Sequence, residues 1–209
     1  DHEAGNKTVG HRFMSEGQVV IKTADIYAAT LRSHSVIVDF EERVESIRAQ
    51  IGEIGRTLEA NVVIDEKLLE EVAALVEWPV VLSGNFDPSF LAVPEEALIS
   101  AMKEHQRYFH VTDANNKLLP KFVTVSNIES KDPNAVVKGN ERVIAPRLSD
   151  AAFFFSQDKK SDLESMLPRL DQVIFQSDLG TYKQKVERIS SLAGLIAGRL
   201  GSNVEAATR

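Results

Sequence analysis

The chain has 209 residues, 43% of them hydrophobic and 26% charged, a balance that excludes disordered, collagen-like and low-complexity classes. No apolar run approaches the ~20 residues a membrane-spanning helix needs, and no stretch has the basic, apolar, small-residue order of a secretory signal. The lack of cysteine excludes disulfide scaffolds, thiolate metal sites and cysteine nucleophiles, and a cytoplasmic setting is the expectation.

Net charge is −7, which taken alone opposes a dedicated nucleic-acid binder. The charge is uneven: residues 1–98 carry 8 basic and 18 acidic side chains, residues 99–150 carry 8 and 6, and residues 151–209 carry 8 and 7. A polyanion is repelled by the first half and tolerated by the second. The chain opens at Asp1 and stops at Arg209 within a helical pattern, so a piece of a longer protein is expected.

In chain order, residues 10–22 read as short strand material broken by Gly17, and Thr23 or Asp25 is placed to cap a short helix through Arg32. Val36-Ile37-Val38 is strand-like. From Asp39 an N-cap leads into an amphipathic helix, because Phe40, Val44, Ile47, Ile51, Ile54 and Leu58 recur at spacings of three and four. Asn61 is expected to break it. Asp65 caps a second helix carrying Leu68, Leu69, Val72, Leu75 and Val76.

Pro79 to Leu82 reads as a buried strand, with a turn expected through Gly84-Asn85 and Asp87-Pro88. Pro94 then opens a helix running to about Glu104. Arg107 to Thr112 and Lys121 to Ser126, joined by the polar link Asp113 to Lys117, predict a β-hairpin. Pro133 opens a long helix that Pro146 should kink or divide. Val173-Ile174-Phe175 is a short apolar link, and Asp178 to Leu200 is predicted helical. Irregular alternation through about residue 172, followed by helix alone, predicts an α+β domain over 1–172 and a helical one over 173–209.

The residues announce little chemistry. His105 and His110 are five apart, off a shared helical face, and His2, His11 and His34 have no carboxylate partner at a telling spacing, so no metal site is expected. There is no P-loop, no Gly-x-Ser-x-Gly elbow and no His-Glu-x-x-His. A binding or structural module is expected rather than an active enzyme. Three segments offer recognition chemistry: Met102 to His110, where Lys103, His105, Gln106 and Arg107 flank Tyr108 and Phe109; Ser126 to Ser130, with Asn127; and Lys138 to Arg142, with Asn140, continuing to Arg147. Arginine and lysine neutralise phosphates, and aromatic rings stack on unpaired bases. The alternatives are that Tyr108 and Phe109 are core strand residues, that Lys103 and Arg107 are solvated helix-end charges, and that Arg142 and Arg147 pair with Glu141 and Asp150.

These segments, with Gly10-His11-Arg12-Phe13, Glu77-Trp78-Pro79, Lys117-Leu118-Leu119-Pro120, Val125-Ser126-Asn127-Ile128-Glu129-Ser130, Gly139-Asn140-Glu141-Arg142-Val143, Pro146-Arg147-Leu148-Ser149-Asp150-Ala151 and Leu179-Gly180-Thr181, resemble in order the beta subunit of bacterial tetrameric glycyl-tRNA synthetase. His110 stands where that family usually has proline.

The resemblance implies an α2β2 enzyme that joins glycine to its tRNA with ATP and Mg. The alpha subunit would hold catalysis and ATP, and the beta subunit would recognise tRNA(Gly). It implies a mixed-sheet module like the editing-type domain of phenylalanyl-tRNA synthetase beta subunits over 1–172, then the first helices of an HD-like domain over 173–209. In that setting Lys103, Arg107, Arg142 and Arg147 would contact phosphates, and His105, Gln106, Asn127 and Asn140 sugars or base edges. No catalytic or metal residue and no cofactor is expected in this piece. The rival reading is a protein–protein scaffold meeting the alpha subunit, with tRNA contacts elsewhere. A weaker third is hydrolysis of mischarged tRNA, although a sieve is hardly needed against amino acids larger than glycine.

Overall fold

The computed structural model describes residues 5–209, so His2 lies outside the described residues. The chain forms two compact units, residues 1–153 and 154–209. Among the described residues no helix is long and apolar enough to cross a membrane.

The first unit opens with a hairpin of β1 (Lys7–Val9) and β2 (Gln18–Val20). A short 3-10 turn then leads into α1 (Tyr27–Arg32), without a side-chain cap from Thr23. Helix α2 (Phe40–Leu58) follows the expected spacing, and Asp39 accepts the Glu42 N–H at 2.9 Å. It ends before Asn61, where Glu59 takes a left-handed φ of 50°. After β3 (Asn61–Val62), Asp65 caps α3 (Glu66–Leu75) through the Leu68 N–H at 3.0 Å. Strand β4 (Val80–Asn85) extends through the expected turn at Gly84-Asn85. Helix α4 (Glu95–Ser100) continues into a π-helical turn, Ala101–His105. Strands β5 (Phe109–Thr112) and β6 (Leu118–Ser126) form the expected hairpin, and α5 (Pro133–Asp158) runs on through Pro146 without division.

The main sheet has the order β3-β5-β6-β4, and all three pairings are antiparallel. The α+β class stands, but the expected mixed sheet is corrected: β5 and β6 are joined by a tight turn, which dictates opposite directions, and both edge strands run against their neighbours. Val36-Ile37-Val38 is also no strand. Only Ile37 reaches across, donating its N–H to Glu77 O at 2.8 Å. The Ile37 and Val38 carbonyls are taken by Arg43 Nη1 at 2.7 and 3.1 Å, so a guanidinium occupies the acceptors a ladder would use.

One face of the sheet carries Val81, Phe109, Val111 and Val123 against Val44, Ile47 and Ile51 of α2 and Leu68, Leu69 and Val72 of α3. Burying each such side chain contributes ~1.5–3 kcal/mol. Strand alternation sends Tyr108 and Phe122 to the other face, where their rings stack at 4.6 Å. Phe122 presses on Gly84, whose missing Cβ would lie 2.4 Å from the ring.

The second unit holds a 3-10 stretch, Glu164–Gln172, then β7 (Ile174–Gln176) paired with β8 (Gly180–Thr181), α6 (Tyr182–Arg199) and α7 (Val204–Thr208). Helix α6 therefore starts at Tyr182 rather than Asp178. Gly180 at φ +81° turns the chain, and Thr181 and Gln184 close a capping box. Residues 178–181 are spent on the turn and cap, and Thr181-x-x-Gln184 was the legible signal for it.

Candidate nucleic-acid interface

Lys103, His105, Gln106 and Arg107 sit where α4 widens into the π-helical turn. Arg107 then takes a left-handed φ of 57°. Its N–H bonds Lys103 O at 3.2 Å and the Tyr108 N–H bonds Met102 O at 3.1 Å, which closes the helix end and explains why β5 starts only at Phe109. A left-handed arginine costs ~1–2 kcal/mol over glycine, so the side chain is held there against a backbone penalty.

Neither cation is simply solvated. Lys103 Nζ lies 2.6 Å from Asp65 Oδ2, and Arg107 Nε lies 2.8 Å from Glu71 Oε1, so both tie the turn to α3. The Lys103 ammonium and the Leu68 N–H hold the Asp65 carboxyl below its usual range, and Asp65 in turn raises the lysine. Lys103 remains about one-third exposed, and His105 is exposed. Burial lowers His110, with Glu95 opposing and Lys103 adding to the effect.

Tyr108 and Phe109 are buried, at 4% and 1% exposure, so base stacking by them is excluded. Phe109 belongs to the core under α2 and α3, and Tyr108 is packed on Phe122. Burial pushes the Tyr108 hydroxyl up to about 12. That hydroxyl contacts Asn140 Oδ1 at 2.5 Å, and Asn140 Nδ2 donates to Val136 O at 2.8 Å. The contact joins the turn before β5 to α5.

Beside it, Glu141 Oε1 accepts the Asn85 N–H at 2.9 Å, so Glu141 is committed to β4 and is not the partner of Arg142. Among the described residues Arg142 donates to its own helix, from Nε to Lys138 O at 3.3 Å. Arg147 is exposed, and the expected pairs Arg142–Glu141 and Arg147–Asp150 are absent among the described residues. The reason is helical position: Asn140, Glu141, Ile144 and Leu148 share the inward stripe, which turns Arg142 outward. Lys138 sits one turn before Arg142, and with Glu141 and Ala145 they line a shallow cleft of about 510 Å³. Its i, i+4 relation to Arg142 was the signal for this further cation. Arg147 emerges on the opposite flank of α5, so the structure does not bring it together with Lys138 and Arg142.

Asn127 lies just past β6, at the sheet end where β5 begins. Its Oδ1 accepts the Glu77 and Trp78 N–H groups at 2.8 and 2.9 Å, and its backbone carbonyl accepts from His11 Nε2 at 2.6 Å. Asn127 thereby holds three chain segments. Among the described residues there is no group of three or more His, Asp or Glu side chains positioned to hold a metal ion.

The glycyl-tRNA synthetase beta subunit family model matches residues 1–209. The chain is 54% identical over 206 residues to a glycine–tRNA ligase beta subunit of Colwellia psychrerythraea, covering 99% of this chain and 30% of the relative. The corresponding protein of Hahella chejuensis is 53% identical over 208 residues, and that of Neisseria meningitidis serogroup B is 47% identical over 208, each with the same coverage. The chain thus spans about 30% of the length of the curated relatives it matches.

Proposed function

The chain belongs to the glycyl-tRNA synthetase beta subunit family, and on that premise we propose that it contributes tRNA recognition and scaffolding to ATP-dependent glycylation of tRNA(Gly). It acts as part of a beta subunit within an α2β2 ligase of the cytoplasm, with catalysis, ATP and Mg held by the alpha subunit. Residues 1–172 correspond to the editing-type module of phenylalanyl-tRNA synthetase beta subunits, and 173–209 to the opening of an HD-like helical domain. The antiparallel sheet clad by helices supports the first assignment and the helices α6 and α7 the second, while the compact units divide at 153/154 rather than 172/173 and the β7–β8 pair precedes those helices.

The observation that carries the RNA reading is the exposure of Arg142 and Arg147 without carboxylate partners among the described residues. Unpaired guanidinium groups meet phosphate at the least desolvation cost. Lys103 and Arg107 contact phosphate by exchanging Asp65 and Glu71 for it, and His105 and Gln106 extend the same surface. Asn127 and Asn140 engage sugars or base edges through the hydrogen-bonding capacity their internal bonds leave over. The test is charge reversal at Arg107, Arg142 and Arg147 in the intact enzyme: tRNA affinity falls and its salt dependence flattens. Affinity equal to wild type removes the reading.

One observation favours the scaffold alternative. Helix α6 leaves Val186, Ile189, Leu192 and Ile196 exposed at 41–59%, an apolar stripe suited to protein rather than RNA. Loss of alpha-subunit association on placing aspartate at Ile189 and Leu192, with tRNA affinity intact, would select it.

A further inference from the structure

Near the start of the chain the fold holds an aromatic ring in solvent. Phe13 is 73% exposed, yet the turn that carries it is built from buried parts. His11 is 1% exposed; its Nδ1 accepts the Phe13 N–H at 3.2 Å and its Nε2 donates to Asn127 O at 2.6 Å. Its backbone N–H bonds His34 O at 2.9 Å and its carbonyl accepts the Ser15 N–H at 3.0 Å. Gly10 leaves no room for a side chain, since a Cβ would lie 2.5 Å from Ser15 Oγ and 2.6 Å from His34 Cβ. A glycine and a buried histidine are thus committed to presenting Arg12 and Phe13 outward, with the guanidinium 5.5 Å from the ring centroid.

The local charge is the reverse of what surrounds it in sequence. Residues 5–38 carry Lys7, Arg12, Lys22 and Arg32 against Glu16 and Asp25, whereas residues 39–98 carry 4 basic and 14 acidic side chains. Arg32 is paired with Glu42. Lys7, Arg12 and Lys22 are exposed and form no ion pair among the described residues. At the other end of the hairpin, Lys7, Lys22 and the half-exposed Tyr27 line a groove of about 520 Å³. Three-residue strands put ~10 Å between the two ends. Exposed rings set among unpaired cations are the composition that unpaired nucleotides recognise: bases stack on the rings and phosphates meet the cations.

We infer that the N-terminal hairpin is an RNA-contact element, in which Phe13 stacks on an unpaired base and Arg12, Lys7 and Lys22 meet the flanking phosphates. The inference rests on the reading that this protein binds tRNA, and it adds a site remote in sequence from the arginines of α5. A protein partner is less favoured because the cations would be buried unpaired.

The test is titration of the full heterotetramer with tRNA(Gly), and with a short unpaired RNA, across a salt series. Phe13→Ala weakens tRNA binding roughly tenfold, Phe13→Trp restores it, and Arg12→Gln lowers the salt slope by about one unit. Thermal melting keeps the comparison clean, since an exposed ring leaves the midpoint unchanged. Wild-type affinity in Phe13→Ala alongside weakened binding in Arg142→Glu overturns this inference and leaves the α5 reading intact. No binding by the wild-type enzyme at low salt overturns both. Loss of subunit association in Phe13→Ala with tRNA affinity unchanged makes the hairpin a protein contact, and that too overturns the inference.

Discussion

The Asn127 side-chain oxygen accepts two consecutive backbone N–H groups, those of Glu77 and Trp78, at 2.8 and 2.9 Å. The same residue's carbonyl meets His11 Nε2. One asparagine at the end of β6 therefore stitches together the segment after α3 and the segment after β1. Replacing it with alanine leaves two half-buried donors unpaired and should cost about 1–3 kcal/mol. Asn127→Asp keeps the acceptor and should cost less. Urea denaturation separates these outcomes; equal midpoints for the two variants would deny Asn127 this structural role.

Arg107 allows backbone and side chain to be read separately. Arg107→Gly relieves the left-handed penalty of ~1–2 kcal/mol but loses the Glu71 contact, which at a half-exposed site contributes little. Stability should hold or rise while tRNA affinity falls. Arg107→Ala keeps the strained backbone and should be the less stable of the two, as differential melting would show.

Gly84 is required by Phe122. A Cβ at 2.4 Å from the ring forces the aromatic out of its stack with Tyr108, so Gly84→Ala should cost about 1–3 kcal/mol. Adding Phe122→Leu, which shortens the obstructing side chain, should recover part of that loss. Strict additivity in the double-mutant cycle would show that the two residues do not press on one another.

Asp65 links stability to pH. Its carboxyl is held below the usual range by Lys103 and the Leu68 N–H, so the unfolded state binds the proton more readily than the fold does. The stabilising contribution of Asp65 is therefore complete above the ordinary carboxylate pKa of about 3.9 and is lost as pH falls below it toward the folded value. Asp65→Asn keeps an N-cap but removes the titration, so its acid-unfolding profile should be flatter than wild type in that range. It also releases Lys103, and under the phosphate reading tRNA affinity at neutral pH should not decrease.

Pro146 stands in mid-helix, lacks an N–H and leaves the Arg142 carbonyl without its intrahelical donor. Pro146→Ala should raise stability by about 1–3 kcal/mol because the helix already passes through this point. Circular dichroism melts would show it; a lower midpoint would mean that the ring's packing outweighs the missing bond.

Several elements were legible from local pattern because their causes are local. The three-and-four spacing of Val44, Ile47 and Ile51, the caps Asp39 and Asp65, and the polar link between β5 and β6 each act within a few residues, so sequence alone determined α2, α3, the hairpin and the α+β class. Family membership was legible for a related reason: short ordered motifs survive in the primary chain. The Thr181–Gln184 box is equally local, but the apolar periodicity of α6 extends back over residues 178–181 and masks its start. The partners of Lys103 and Arg107 and the outward turn of Arg142 depended on contacts 36 to 56 residues apart, and the burial of Tyr108 on Phe122 and Asn140, 14 and 32 residues away. Such contacts form only when the sheet and its helices are assembled, because packing, not spacing, selects which carboxylate lies within reach of which cation. That is why the candidate residues could be named from the chain, while their division into internal staples and outward-facing cations belonged to the tertiary structure alone.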